Sequence, residues 1–431
     1  ARQRLKPQYL RFKKGYRKVM SVLPLGGHIY HATHKIKTAI KDSLLPCSLF
    51  EDMGFTYLGP VDGHDVKYLT QLLSYAKELN GPVLLHVRTV KGKGYTPAER
   101  NPDRFHGVGR FCVGNGEPVQ PPKPNFSAVF GQTMCALAQQ DERLVAITAA
   151  MQGGTGLDEF ARRFPQRFFD VSIAEGHAVT MAAGMAKQGI RPVFAVYSSF
   201  LQRAYDMLIH DVALQQLHVV LAVDRAGLVG EDGETHHGVF DPAFLDTVPG
   251  MTVLCPSSFA ELRSMLSYAV YQVNGPVAVR YPRGGEGTYT ADSAPAPACI
   301  LRRGSDITLA GYGSMIDPLL DCARRLERYG VQAEVVKLNC ITPIASDILL
   351  ESLRRTGRLL AAEDSAPSNS VGNRLAAAAA RAGIPLKGLA LADTGPGFVT
   401  HGTVQQLRHY CGLDGESLCR KALEVCGHGN G

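Results

Sequence analysis

The chain has 431 residues and a formal net charge of +7, and its 45% hydrophobic and 20% charged residues are typical of a soluble globular protein. Its apolar runs are much shorter than the ~18 residues of a membrane-spanning helix, and its first residues lack the apolar core of a signal peptide, which argues against a membrane protein or a secreted one. Ten scattered cysteines without a C-x-x-C pair argue against structural zinc and predict a reduced, cytoplasmic protein.

The positive charge is concentrated at the N-terminus. Residues 1–42 contain eleven Lys or Arg and one acid, Asp42, which leaves 35 basic and 38 acidic residues in the remainder. No nucleic-acid recognition motif accompanies this charge, so we predict a solvated helical surface and no nucleic-acid partner. His28, His31 and His34 would share a helix face, but no Cys or carboxylate joins them, and a metal site there is the weaker interpretation.

Residues 50–111 predict a small α/β region in which strands at 55–58 and 82–88 flank an amphipathic helix at 66–79. The stretch at 112–125 is rich in Pro and Gly and predicts a linker. We therefore expect a first domain boundary after residue 122.

From residue 123 onward, strand-like runs alternate with helical ones. The predicted elements are strands at 144–148, 169–173, 192–197, 219–224, 252–254 and 277–281, with helices at 175–188, 200–216 and 259–272. After a second linker at 291–298, strands at 307–310, 333–337 and 359–362 alternate with helices ending at 328 and spanning 348–356. This rhythm predicts an α/β fold with successive doubly wound parallel-sheet domains at residues 123–297 and 298–431.

Side chains suited to chemistry follow four of these predicted strands. The set comprises Glu175, Tyr197, Phe200, Arg203, Arg225, Asp232, His236 and Arg283. Because ligands of open parallel sheets bind at the carboxyl ends of the strands, we expect these side chains to lie on one rim.

Five segments of the chain resemble the 1-deoxy-D-xylulose-5-phosphate synthase family. They are Gly-Pro-Val-Asp-Gly-His-Asp at residues 59–65, Ala-Glu-Gly-His-Ala-Val at 174–179, and the runs at 197–206, 224–238 and 281–284. The resemblance extends from about residue 9 to about residue 423. It implies a transketolase-like fold in which residues 1–122 are the remnant of a diphosphate-binding domain plus linker, 123–297 a pyrimidine-binding domain and 298–431 a transketolase C-terminal domain.

The resemblance also implies an activity. The family condenses pyruvate, after decarboxylation, with glyceraldehyde 3-phosphate, using thiamine diphosphate and Mg²⁺. The product feeds isoprenoid, thiamine and pyridoxal synthesis, and the expected assembly is a homodimer.

The family roles carry over to named positions. Glu175 matches the glutamate that hydrogen-bonds the cofactor's pyrimidine; with apolar neighbours it would stay partly protonated and donate a proton. Phe200 matches the aromatic residue that stacks on that ring. Tyr197 and Arg203 match groups that contact cofactor and substrate.

Arg225 and Arg283 match the pair that binds the substrate phosphate, a role suited to the planar guanidinium. Asp232 falls among the substrate-contacting groups. His236, with His64 and His106, matches catalytic histidines that move protons. On chemistry alone His237 could replace His236, and for each of these histidines a structural role is the alternative.

The family holds the metal and the diphosphate through a Gly-Asp-Gly motif and a later Asn. Here Asp-Gly occurs at residues 62–63, 232–233 and 414–415, each time without the preceding Gly. We therefore expect the metal and diphosphate ligands in a segment missing upstream of Ala1, and an inactive chain. The alternative is a non-catalytic subunit of a split transketolase-like enzyme that needs a separate diphosphate-binding chain. A general transketolase or pyruvate dehydrogenase subunit fits the segments at 59–65 and 232–238 less well.

Overall fold

The computed structural model describes residues 48–121, 123–344 and 346–428. The basic segment and its three histidines therefore lie outside the described residues. The chain divides into two compact units, residues 1–121 and 122–431, which we describe separately. No helix within the described ranges has both the length and the apolar character required to cross a bilayer.

In the first unit, β1 (Thr56–Asp62) and β2 (Val83–Arg88) pair in parallel, and the helix Val66–Lys77 connects them. This helix begins after Asp65, whose carboxylate accepts a hydrogen bond from the Tyr68 amide, as N-capping residues commonly do. Strand β1 extends beyond the predicted 55–58 because its pairing with β2 continues, after an irregularity, to Asp62. Short helices at Ser48–Asp52 and Thr96–Arg100 complete the described part of the unit.

The second unit contains two sheets. The first has the strand order β12-β7-β8-β6-β5-β3-β4 and consists of β3 (Leu144–Thr148), β4 (Phe168–Asp170), β5 (Arg191–Tyr197), β6 (Val220–Asp224), β7 (Thr252–Leu254), β8 (Val277–Arg280) and β12 (Cys340–Thr342). The second has the order β14-β13-β10-β11-β9 and consists of β9 (Ala298–Arg302), β10 (Ile307–Tyr312), β11 (Ala333–Leu338), β13 (Arg358–Ala362) and β14 (Gly388–Ala392). Only the edge strands β9 and β12 are antiparallel to their neighbours.

Helices cover the faces of both sheets. Those of the second unit are Phe126–Gln140, Asp158–Arg163, Glu175–Lys187, Ser198–Leu201, Tyr205–Met207, Asp241–Asp246, Phe259–Tyr271, Ile316–Leu326, Asp347–Thr356, Val371–Arg381, Val404–Tyr410 and Gly415–Val425. Every residue of β3, β6 and β11 is buried, as expected for parallel strands packed on both faces. The predicted α/β class with parallel sheets is confirmed.

The prediction of one continuous helix at 200–216 is wrong. The segment starts as the helix Ser198–Leu201, passes through a 3₁₀ turn at Gln202–Ala204, and ends as a π-helix at Leu208–Ala213. Apolar periodicity shows which face is buried but not which backbone hydrogen bonds form, so it does not distinguish a regular helix from one of mixed type. Strand β12 has only three residues, too few to show a period, and the sequence does not predict it.

A buried ion pair joins the two sheets. Lys337 on β11 and Glu261, in the first turn of Phe259–Tyr271, are both 0% exposed, and Nζ lies 3.0 Å from Oε2. The other carboxylate oxygen, Oε1, accepts hydrogen bonds from Tyr289 at 2.8 Å and Ser293 at 2.6 Å, and Asn339 accepts from Lys337. Such saturation is required when a charge is removed from water, so this network holds the helix to the second sheet in one register.

Replacing Lys337 with Met should therefore destabilise the fold, because Glu261 would remain buried without its cation. We expect a loss of about 3–5 kcal/mol in the free energy of unfolding, measured by urea titration. The double variant Lys337→Met/Glu261→Gln should recover much of that loss. A single variant as stable as the parent chain would show that the pair does not hold the sheets together.

Candidate active site

The carboxyl ends of three neighbouring strands form the candidate site. Tyr197 at the end of β5 pairs with Asp224 at the end of β6, and β8 runs parallel to β6 on its other side. Arg225 follows β6 directly, and Arg283 follows β8 by three residues. The predicted rim therefore exists, and parallel pairing is what brings these side chains together.

Arg225 occupies the centre of this rim and is only 13% exposed. Its Nη1 donates to the Gly154 carbonyl at 2.6 Å and lies 3.0 Å from Oδ1 of Asp224, while its guanidinium carbon lies 4.0 Å from the centroid of the Tyr197 ring. The backbone of Arg225 has φ +60°, a left-handed conformation that costs energy for a residue with a Cβ. Packing and charge together hold the guanidinium in a fixed place.

Asp224 supplies the buried counter-charge. It is 0% exposed, and Oδ2 accepts a hydrogen bond from Ser127 at 2.7 Å. Burial raises the pKa of Asp224, and the adjacent Arg225 opposes that shift. The pair thus forms a fixed dipole whose positive end faces the rim.

A second cation, Arg283, approaches from the end of β8. Its Nε lies 3.1 Å from Oδ2 of Asp232, and Arg225 Nε lies 3.8 Å from the same oxygen. Arg283 is 37% exposed, and its Nη1 also donates to the Val229 carbonyl at 3.3 Å. Two guanidinium groups therefore converge on one carboxylate, and the space between them attracts an anion.

Aromatic rings line the neighbouring part of the rim. Tyr197 and Phe200 stack with ring centroids 5.7 Å apart, and His236 meets the Phe200 ring edge-on at 5.3 Å. The Arg203 guanidinium lies 5.0 Å from the Phe200 centroid and donates to Oε1 of Glu175 at 2.8 Å.

Besides the apolar neighbours that the sequence predicts for Glu175, the structure gives this carboxylate a charged partner. Glu175 begins its helix and is 3% exposed, but its partner is the guanidinium of Arg203. The 3₁₀ turn at Gln202–Ala204 packs against the helix Glu175–Lys187 and brings this cation to the carboxylate. Among the described residues, Arg203 alone donates to Glu175.

The structure distinguishes the two neighbouring histidines. The ring of His236 faces Tyr197 and Phe200, and Nδ1 lies 2.9 Å from the Thr235 hydroxyl. Burial lowers the pKa of His236, and Asp232 opposes the shift.

His237 is 4% exposed and both of its ring nitrogens are engaged. The Val229 amide donates to Nδ1 at 3.2 Å, so the proton resides on Nε2, which lies 3.1 Å from the Thr400 carbonyl and donates to it. Of the two, only His236 has its ring at the rim.

His64 and His106 belong to the first unit and are both exposed. The His64 Nε2 accepts a hydrogen bond from the Val90 amide at 2.8 Å. Their catalytic roles remain predictions. Within the residues that the structure describes, no cluster of three or more His, Cys, Asp or Glu could hold a metal ion.

Sequence reasoning missed two groups that hold Arg225. Ser127 and Gly154 bind the guanidinium or its counter-ion, and Gly154 belongs to the Gly-rich run Gly-Gly-Thr-Gly after β3. A Cβ at Gly154 would overlap the Tyr197 hydroxyl, so a larger residue there would displace the Tyr197 ring. A glycine-rich loop after a buried strand was a visible signal for this contact.

Three family models match successive parts of the chain. They are described as 1-deoxy-D-xylulose-5-phosphate synthase at residues 1–89, transketolase pyrimidine binding domain at 122–285 and transketolase C-terminal domain at 297–418.

Curated proteins similar to the chain include the 1-deoxy-D-xylulose-5-phosphate synthase of Pelotomaculum thermopropionicum, 44% identical over 98% of this chain and 67% of that protein. The enzyme of the same name from Clostridium acetobutylicum is 42% identical over 97% of this chain and 68% of that protein. The chain thus spans about two thirds of the length of these relatives.

Solved structures give the same fold. A split-gene transketolase, described as an inactive beta4 tetramer, superposes with a TM-score of 0.63 at 26% identity, covering 71% of this chain and 99% of that one. A transketolase from Pichia stipitis in complex with fructose 6-phosphate gives 0.59 at 14% identity, covering 72% and 46%. At 14% identity, the likeness to the Pichia stipitis transketolase supports the fold alone.

The half-buried position of His236 has a measurable consequence. Since burial disfavours the charged imidazolium, His236 should titrate below the ordinary histidine value of about 6.5 in an NMR pH titration of its ring signals. The variant His236→Gln identifies the signal by removing it. A midpoint at or above about 6.5 would contradict the described surroundings of this ring.

Proposed function

The chain belongs to the 1-deoxy-D-xylulose-5-phosphate synthase family and has its transketolase-like α/β fold, and from this premise we propose that its rim binds the substrates of that synthase. The proposed reaction is the decarboxylative condensation of pyruvate with glyceraldehyde 3-phosphate, which supplies isoprenoid, thiamine and pyridoxal synthesis. A homodimer and a cytoplasmic location are part of the proposal, the latter because nine cysteines in the described ranges are free thiols.

One observation carries the proposal: two guanidinium groups converge on a single anion at the rim. Arg225 is fixed by Asp224 and Gly154, while Arg283 is partly exposed and approaches from the neighbouring strand. Asp232 now sits between them as a carboxylate. A phosphate monoester has a higher charge and more acceptor oxygens, so it can engage both arginines where the carboxylate does.

The rim also fits the pyrimidine end of thiamine diphosphate. Glu175 offers a nearly buried carboxylate, Phe200 a half-buried aromatic ring, and Ser199 a buried hydroxyl for which the described residues provide no hydrogen-bond partner. When bound, thiamine diphosphate supplies the reactive carbon and the electron sink that decarboxylation of a 2-oxo acid requires. Glu175 would hold a proton against a ring nitrogen, and Arg203 would have to share or release this carboxylate.

His236 is suited to move a proton at the rim. Because burial lowers its pKa, the neutral imidazole prevails at neutral pH and can accept a proton. The Thr235 hydroxyl lies at Nδ1, which leaves Nε2 as the nitrogen for a substrate hydroxyl or carbonyl group. His64 and His106 remain proposed as further catalytic histidines, and Mg²⁺ as the metal.

Replacing Arg283 with Ala should weaken binding of the phosphorylated substrate. Losing a charge-assisted contact costs about 1.5–3 kcal/mol, which corresponds to a KM for glyceraldehyde 3-phosphate roughly 10- to 150-fold higher. The KM for pyruvate should change little. Steady-state assays of the catalytically active enzyme measure both constants. Arg162→Ala is the matched control. Arg162 lies on the helix Asp158–Arg163 and forms an exposed ion pair with Glu159. An equal rise in both KM values would remove the phosphate assignment.

Replacing Glu175 with Gln should impair the chemical step. The amide keeps the shape but cannot exchange a proton with the cofactor, so kcat should fall by roughly 10²–10⁴-fold, as for a lost acid–base group. Fluorescence titration with thiamine diphosphate shows separately whether the variant still binds the cofactor. Turnover equal to that of the parent enzyme would show that another acid serves the cofactor.

A second candidate role is that of a subunit acting with a separate diphosphate-binding chain. It is favoured by the likeness to the split-gene transketolase, 99% of whose chain is covered by the superposition. Calorimetric titration of the 431-residue chain with thiamine diphosphate and Mg²⁺ tests it. Weak binding and no product, both restored by adding a diphosphate-binding chain in trans, would support this role. Tight binding with turnover by the chain alone would exclude it.

A further inference from the structure

Residues 226–239, here called the rim loop, connect β6 to the helix Asp241–Asp246 and carry both Asp232 and His236. The loop closes on itself through reciprocal backbone hydrogen bonds between Gly227 and Gly238, at 2.7 and 2.8 Å. Its two ends are therefore adjacent, and whatever holds these ends determines where Asp232 and His236 lie.

Both ends of the rim loop are inserted into the core of the second sheet. Leu228 is 3% exposed and Val239 is 6% exposed, and both belong to the apolar cluster formed by Leu309, Met315 and Leu360 on and after β10 and β13. The loop thus starts from the seven-stranded sheet but is anchored in the core of the five-stranded one.

Polar contacts reinforce this anchoring. Asp364, which follows β13, accepts hydrogen bonds from the Ser314 hydroxyl at 2.6 Å and from the Leu228 amide at 3.4 Å. Gly227 lies so close to the Asp364 carboxylate that a Cβ there would overlap it. The Ala366 amide donates to the Val239 carbonyl at 2.9 Å.

The anchor also includes the buried histidine. His237 accepts from the Val229 amide within the loop and donates to the Thr400 carbonyl outside it. Ser314 and Asp364 both follow the carboxyl ends of parallel strands, the edge at which open α/β sheets usually bind ligands. In this protein the rim loop, which starts from the first sheet, lies at this edge of the second sheet, where a ligand would otherwise bind.

We infer that Asp364, supported by Ser314, is a positioning residue for the substrate site: with His237 and the Thr400 carbonyl it fixes the rim loop so that Asp232 lies between Arg225 and Arg283 and His236 faces Phe200. None of these anchoring groups needs to touch a substrate. The inference rests on the proposed function only in naming the phosphorylated aldehyde as the ligand that depends on the loop.

The test compares Asp364→Ala, Asp364→Asn and Ser314→Ala with a control. Ser352→Ala is matched to them, because Ser352 is fully buried and hydrogen-bonds Thr308 at the opposite end of β10. Hydrogen exchange of peptides covering residues 226–239 is measured by mass spectrometry on the full chain, together with the thermal midpoint of each variant. In the catalytically active enzyme the KM values for glyceraldehyde 3-phosphate and pyruvate are measured as well.

Asp364→Ala should accelerate exchange in the rim loop about 2- to 10-fold, the expected effect of losing an ordinary hydrogen bond, here the one to the Leu228 amide. Ser314→Ala should act in the same direction, and Asp364→Asn, which keeps an acceptor oxygen, should restore most of the protection. The KM for glyceraldehyde 3-phosphate should change more than that for pyruvate, because the loop carries the Asp232 carboxylate that lies between the two arginines.

Unchanged exchange in the loop would overturn the inference, as would acceleration no greater than in Ser352→Ala or spread evenly over the unit. Faster loop exchange with an unchanged KM for glyceraldehyde 3-phosphate would support the anchor and contradict the phosphate assignment instead. The two failures are therefore distinguishable.

Discussion

The candidate site is organised around the guanidinium of Arg225, which is largely withdrawn from water and whose Nε is buried without a hydrogen-bond partner among the described residues. Its charge is balanced by the fully buried Asp224, its Nη1 donates to the Gly154 carbonyl, and its plane lies over Tyr197. Breaking such a pair costs several kcal/mol, so the three strand ends that contribute these groups cannot shift independently. The strained backbone of Arg225 persists because these contacts overdetermine it.

A second buried ion pair joins the two sheets. Lys337 and Glu261 hold the helix Phe259–Tyr271 to the second sheet. Asp364, at the end of a strand of the same sheet, accepts a hydrogen bond from the Leu228 amide of the rim loop. The second sheet therefore supports the site although it supplies none of the rim's charged groups. Arg283 is the exception to this rigidity: it is partly exposed and reaches Asp232 from outside. A ligand thus encounters one fixed cation and one adaptable cation.

The sequence predicts the parallel sheets and their rim because burial on both faces makes β3 and β6 nearly continuous apolar runs, and residues after such runs must share one edge. It does not predict which groups meet across the rim. Asp232 between two arginines and Arg203 against Glu175 depend on a 3₁₀ turn and on loop paths that leave no period in the sequence. The distinct surroundings of His236 and His237 likewise arise from tertiary contacts alone, since adjacent histidines have the same intrinsic chemistry.

We propose above all that Arg225 and Arg283 together bind the phosphate of the aldehyde substrate. A crystal structure of the protein with glyceraldehyde 3-phosphate tests it most directly. We expect phosphate oxygens at about 2.7–2.9 Å from guanidinium nitrogens of both arginines, with the Asp232 carboxylate displaced from between them. A phosphate bound elsewhere, with the carboxylate of Asp232 still 3.1 Å from Arg283, would contradict it.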